Sequence, residues 1–207
     1  MNILIPARKG SKGFPFKNRK LIKQTLKKIP KEFLERTYVS TDDEEIKKNL
    51  PKEVKIHHRS PEVSGDTAST LSTVEEFVKD CKIDGDVIML YLTYPEREWS
   101  HVLSAYEEFK NSNSTSLLCK KEIDVHPYLM MYEEEENRGR QIVKHNLYRR
   151  QDYPSCFEIS HYISIFSTKE LNNLNNNMYN ENTYFYRIDN VVDVDYEEDL
   201  KKVSLWL

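Results

Sequence analysis

The chain predicts an α/β fold in which a mostly parallel sheet is flanked by helices. Three observations carry that reading. Short apolar runs rich in β-branched residues alternate with longer stretches whose apolar residues fall at three- and four-residue spacing. That alternation continues to about residue 120. No internal repeat or linker divides the 207 residues, so a single domain over 1–207 is expected.

In chain order, strands are expected at 2–6, 36–41, 53–58, 86–92 and 115–120, with helices at 43–49, 67–82 and 99–112. The run Asn2-Ile3-Leu4-Ile5 is strand-like. Within 67–82, Leu71, Val74, Phe77 and Val78 form one buried stripe, and Asp66-Thr67 offers a cap. After residue 120 the pattern changes to two strand-like stretches, near 127–133 and 140–147, around Glu135-Glu136-Asn137-Arg138-Gly139. This reads as a β-hairpin arm at about 121–158. Its Tyr128, Leu129, Met130 and Met131 would expose apolar area that a second copy could cover. The Asn-rich 172–177 reads as a loop, and a strand near 191–194 with a helix near 196–205 closes the chain.

Composition narrows the class. The net charge of −3 argues against a general nucleic-acid binder, and the absence of any 18-residue apolar run argues against a membrane span. Neither a signal-peptide pattern nor a C-x-x-C pair occurs, and Cys81, Cys119 and Cys156 are widely spaced. A cytoplasmic protein with reduced thiols is expected. Charge is nonetheless uneven. Residues 1–36 carry 11 Lys/Arg against 2 Asp/Glu, or +9, and the rest carries −12. Lys20, Lys23, Lys27, Lys28 and Lys31 also fit a solvated basic helix face.

Two segments carry candidate chemistry. In Ile5-Pro6-Ala7-Arg8-Lys9-Gly10-Ser11-Lys12-Gly13-Phe14-Pro15-Phe16-Lys17-Asn18 a strand ends in a loop with two glycines, where amides can face an anion and Arg8, Lys12 and Lys17 can neutralise it. The spacing matches neither G-x-x-x-x-G-K-[ST] nor G-x-G-x-x-G. Near the other end, Val192-Asp193-Val194-Asp195 places two carboxylates on one face of an extended segment. They could hold Mg²⁺ with waters and phosphate oxygens, or form a polar strand end before the acidic start of a helix.

Together these segments resemble the acylneuraminate cytidylyltransferases, the CMP-sialic acid synthetase group. Pro6 to Asn18 is similar to that family's A-R-x-x-S-K-G-x-P-x-K-N opening, and Val39-Ser40-Thr41-Asp42 to its second strand end. Arg59-Ser60-Pro61-Glu62 through Asp66-Thr67-Ala68-Ser69-Thr70 resembles R-P-x-E-L-x-x-D-T-A-S-S. Arg150-Gln151 with Pro154 matches R-Q-x-x-P, and Asp193-Val194-Asp195 with Asp199-Leu200 matches D-x-D…D-L. The matches follow family order across nearly the whole chain.

The resemblance implies a Rossmann-like nucleotidyltransferase fold, a homodimer formed through the arm, and transfer of CMP from CTP to a 2-keto sugar acid, with Mg²⁺ as cofactor. Arg8 and Lys12 would hold the triphosphate, with Gly10, Ser11, Lys17 and Asn18 around it. Arg59 and Thr70 would face the base, Asp193 and Asp195 would hold the metal, and Tyr91, Thr93, Tyr94, Arg150 and Gln151 would serve the acceptor. Departures fall on the acceptor side. Tyr91-Leu92-Thr93-Tyr94-Pro95-Glu96-Arg97 stands where the family has Q-P-T-S-P-L-R, and Glu158-Ile159-Ser160-His161 where it has R-P-N-G. A different keto sugar acid as acceptor, or a dimer that binds nucleotide without turnover, are the alternatives.

Overall fold

The computed structural model describes residues 1–10, 13–189 and 191–203. Seven strands form the main sheet: β1 (Asn2–Pro6), β2 (Thr37–Thr41), β3 (Lys55–His58), β4 (Asp86–Met89), β5 (Ser116–Lys121), β8 (Glu158–Ser167) and β9 (Thr183–Arg187), with β6 (Met131–Glu134) and β7 (Arg138–Gln141) paired separately as a hairpin. The strand order is β3-β2-β1-β4-β8-β5-β9. Pairings β1/β2, β2/β3, β1/β4 and β5/β9 are parallel, while β8 runs antiparallel between β4 and β5. The expected mostly parallel sheet is therefore present, with one reversed strand in its interior.

Helices α1 (Lys17–Lys28), α2 (Lys31–Leu34), α3 (Glu44–Lys48), α4 (Pro61–Ser64), α5 (Thr70–Asp80) and α6 (Trp99–Asn111) cover the two faces. Side-chain alternation decides which residues meet which layer. Ile3, Ile5 and Ile88 pack with Leu21, Val102 and Phe109 from α1 and α6, whereas Leu4, Val87 and Met89 pack with Val74 and Phe77 of α5. Phe77 is fully buried, which is worth about 1.5–3 kcal/mol for a side chain of this kind.

Several element boundaries differ from expectation. The cap of α5 is Ser69, whose Oγ accepts from Ser72 N at 3.0 Å, so the helix starts three residues after Asp66-Thr67. Asp43 caps α3 by accepting from Glu45 N at 3.0 Å. The basic residues after the glycine loop do form a helix, α1, with Leu21, Ile22 and Thr25 on its inner side. The strand expected over 191–194 does not form, and β9 (Thr183–Arg187) is the last strand of the sheet among the described residues. Residues 191–195 instead run irregularly past the end of β4, where Val194 N donates to Thr93 O at 2.8 Å. The expected last helix is a 3₁₀ segment, Glu197–Lys202, and Ser204 onward lies outside the described residues.

In the arm, Glu135–Asn137 turns β6 into β7, with Glu136 and Asn137 in the left-handed region. Two imidazoles organise its base. His126 accepts from Tyr128 N at 3.1 Å and bonds Pro154 O at 2.9 Å, and His145 stacks on Tyr128 with centroids 4.2 Å apart. Leu129, Met131, Tyr132 and Tyr148 are exposed, Tyr148 by 88%. No helix among the described residues is long and apolar enough to cross a membrane.

Candidate active site

A cavity of about 230 Å³ opens at the carboxyl ends of β1 and β4, the usual ligand position in an open α/β sheet. Arg8, Gly10, Lys17, Asn18, Arg59, Thr70, Tyr91 and Thr93 all line it. These residues come from the first glycine loop, the start of α1, the segment before α4, the start of α5 and the end of β4. Ser11 and Lys12 lie outside the described residues.

On the loop side, the Arg8 guanidinium meets Asp66 at 2.6 Å, and the Asn18 amide donates to Arg8 O at 2.8 Å, fixing the loop to α1. Gly13 allows a close approach, since a Cβ there would crowd the Asp195 carbonyl at 3.0 Å and the Tyr196 ring at 3.1 Å. The cationic loop and the acidic segment are thus in contact.

Lys17 strengthens that contact. Only 8% exposed, it donates from Nζ to Val194 O at 2.9 Å and to Asp195 Oδ1 at 3.0 Å. Asp193 and Asp195 are exposed on either side of fully buried Val194, so the expected alternation survives without a strand. Tyr94 is not on the cavity wall. It is buried beside Thr93, and its hydroxyl donates to Asp193 Oδ2 at 2.8 Å. Burial holds that hydroxyl protonated far above its ordinary range, against the opposing hydrogen bond from Ser160.

The opposite wall is cationic and aromatic. Arg59 donates to Thr73 Oγ1 at 2.7 Å and to Val63 O, while its buried Nε has no partner among the described residues. Burial lowers its pKa, with the field of Asp42 opposing. Thr70 Oγ1 and the Tyr91 hydroxyl share a hydrogen bond of 3.1 Å, and the Tyr91 ring lies 5.4 Å from that of His161.

Two contributors were not singled out from the sequence. Arg97 is 4% exposed and donates to Tyr162 O and to Tyr91 O, each at 2.6 Å, joining the end of β4 to β8. Burial pushes its pKa down to about 10. His161, on β8, is held neutral by burial more strongly than the field of Asp193 opposes. The available signal for Arg97 was that it is the one Lys or Arg between Lys82 and Lys110; only the β8 pairing reveals His161.

Arg150 and Gln151 sit in a 3₁₀ turn of the arm and do not line the cavity of their own chain. Among the described residues no cluster of three or more His, Cys, Asp or Glu side chains is placed to hold a metal. A cation here would rest on Asp193 and Asp195 together with ligand and water oxygens. That donor set suits Mg²⁺, which keeps several waters and needs one or two protein carboxylates.

Residues 2–205 match the family model described as cytidylyltransferase. An N-acylneuraminate cytidylyltransferase from Streptococcus agalactiae serotype V is 27% identical over 95% of this chain and 50% of its own length. N-acylneuraminate cytidylyltransferase B from Danio rerio is 33% identical over 73% of this chain and 38% of its own. The chain therefore spans half or less of the length of these relatives. In fold it is similar to a CMP:2-keto-3-deoxy-manno-octonic acid synthetase solved with CTP, at TM-score 0.67 and 15% identity, covering 98% of this chain and 95% of that one.

Proposed function

The chain belongs to the cytidylyltransferase family, and on that footing we propose that it moves CMP from CTP to the anomeric hydroxyl of a 2-keto sugar acid, N-acylneuraminate-like, with release of pyrophosphate. One observation carries the reading: the cationic loop and the Arg59–Thr70 wall, far apart in sequence, line one cavity at the ends of β1 and β4, and Lys17 of that lining holds the Asp193–Asp195 segment beside it.

In this reading the triphosphate lies along Arg8, Lys12 and the start of α1, where Asn18 fixes the loop backbone. Binding requires Arg8 to exchange its Asp66 contact for phosphate oxygens. Arg59 and Thr70 line the cavity beside the base, and Tyr91 with Thr93 lines it toward the acceptor. The acceptor hydroxyl gives its proton to solvent water as its oxygen bonds to the α-phosphorus, and the bond from the α-phosphorus to the bridging β-phosphate oxygen breaks in line, that oxygen leaving with pyrophosphate. Charge developing on pyrophosphate is offset by Arg8 and Lys12. Mg²⁺, when bound, supplies Lewis-acid charge stabilisation at the phosphoryl centre. Asp193 and Asp195 would hold it, with Lys17 keeping their segment against the loop.

The reading further includes a cytoplasmic homodimer, paired through the exposed apolar face of the arm, to which Arg150 and Gln151 belong. Its test is pyrophosphate release from CTP and Mg²⁺ with a panel of eight- and nine-carbon keto sugar acids. Release with a nine-carbon acid is expected. Release only with another acid moves the acceptor assignment, and CTP binding without release from any acid overturns catalysis in favour of a nucleotide-binding homologue.

A further inference from the structure

A directed chain of hydrogen bonds ends on Asp193. Tyr162 N donates to Ser160 Oγ at 3.3 Å, Ser160 Oγ donates to the Tyr94 hydroxyl at 3.3 Å, and that hydroxyl donates to Asp193 Oδ2 at 2.8 Å. Its direction is set from the acidic end: a carboxylate only accepts, so the Tyr94 hydroxyl gives its one proton to Asp193 and accepts from Ser160. The Tyr94 ring is itself fixed. It is 5% exposed, stands edge-on to Tyr162 at 5.5 Å and 83°, and has the Arg97 guanidinium 5.7 Å from its centroid.

We propose that Tyr94 is a positioning residue that orients the Asp193 carboxylate and thereby sets how strongly a divalent cation binds beside the nucleotide. The inference rests on the metal-assisted reading of the site given above. Asp193 is exposed, and among the described residues its other oxygen makes no hydrogen bond, so Tyr94 holds one oxygen and leaves the second available. The neighbouring residues form a parallel link: Val194 N donates to Thr93 O at 2.8 Å, and Thr93 lines the cavity. Backbone and side chain therefore pin the acidic segment at adjacent positions, one bond locating it and the other turning its carboxylate. Tyr94 and Ser160 both stand at positions where the chain departs from the sequence patterns it otherwise follows, and they touch each other. Outer partners of metal-binding carboxylates typically change metal affinity by about 10–100-fold when removed.

The experiment compares the full-length wild type with Tyr94→Phe, Ser160→Ala and Asp193→Asn. Mn²⁺ binding is followed by electron paramagnetic resonance with CTP present, CTP binding by calorimetry in EDTA, and folding by thermal melting. Tyr94→Phe is expected to weaken Mn²⁺ binding about tenfold, Ser160→Ala less, and both to leave metal-free CTP binding unchanged. The Mg²⁺ needed for half-maximal pyrophosphate release should rise in Tyr94→Phe, with the rate recovering at saturating Mg²⁺, which a merely structural defect would not allow. A folded Tyr94→Phe with wild-type Mn²⁺ affinity, or a rate that saturating Mg²⁺ does not restore, overturns the proposal. Should Tyr94→Phe fail to fold, wild-type Mn²⁺ affinity in Ser160→Ala overturns it. If Asp193→Asn weakens Mn²⁺ binding and Tyr94→Phe does not, only this inference falls. If Asp193→Asn binds Mn²⁺ as the wild type does, the metal site falls and this inference with it.

Discussion

The ammonium of Lys17 lies 3.0 Å from the carboxylate of Asp195, across 178 residues of sequence, and 2.9 Å from the carbonyl of Val194. The first turn of α1 therefore holds the acidic segment in place. Lys17→Met should lower stability by about 1–2 kcal/mol, discounted because the Asp195 side chain is 65% exposed. It should also raise the KM for CTP. Urea unfolding and steady-state kinetics test this, and wild-type stability in the variant would refute the tether.

The two carboxylates should not be equivalent. Asp195 is already neutralised by Lys17, whereas Asp193 accepts only from a neutral hydroxyl. Asp193→Asn should raise the Mg²⁺ requirement about tenfold or more, and Asp195→Asn less, because only the former removes an unneutralised charge. Equal Mg²⁺ titrations for both variants and the wild type would reduce the pair to a polar segment.

If Arg8 holds the triphosphate as proposed, Arg8→Ala would remove a charge-assisted contact worth about 1.5–3 kcal/mol, and the KM for CTP should rise about 10–100-fold. The melting temperature should barely change, since the Arg8–Asp66 pair is partly exposed. The motif places Lys12 in the same role, and Lys12→Ala should behave alike. Unchanged CTP kinetics in both variants would remove the triphosphate from this loop.

His57 links stability to pH. It is 2% exposed, with Nδ1 2.9 Å from Ser40 Oγ, and burial lowers its pKa below 6.5 against the fields of Glu76 and Asp80. The unfolded chain therefore takes up the proton first. Its contribution is complete above about pH 6.5 and is lost as the pH falls from there through the lower folded pKa. Urea unfolding of the wild type should weaken between about pH 7 and about pH 5, and His57→Gln should flatten that slope. Parallel slopes would exclude His57 as the source.

The arm should pair two chains. Tyr148→Glu combined with Leu129→Glu puts charge into its exposed apolar face without touching the sheet. Sedimentation equilibrium is expected to show a wild-type dimer and a folded monomeric variant. A monomeric wild type at micromolar concentration would contradict the arm's assignment.

The sequence by itself determined most of the parallel half of the fold. Asn2–Ile5, the 86–92 run and the stripe of 67–82 state their burial through period and composition, which neighbours along the chain express directly. The candidate phosphate residues and Asp193/Asp195 were legible for the same reason, as charge concentrated on short segments. Tertiary structure decided what distant segments do to one another. β8 enters between β4 and β5 only after the arm, so its partners, and with them the His161–Tyr91 and Ser160–Tyr94 contacts, cannot be read from local pattern. Nor does any local signal show that Gly13 allows a close approach to Asp195, or that Tyr94 turns away from the cavity toward Asp193. Periodicity records which side of an element is buried; packing alone specifies what lies against it.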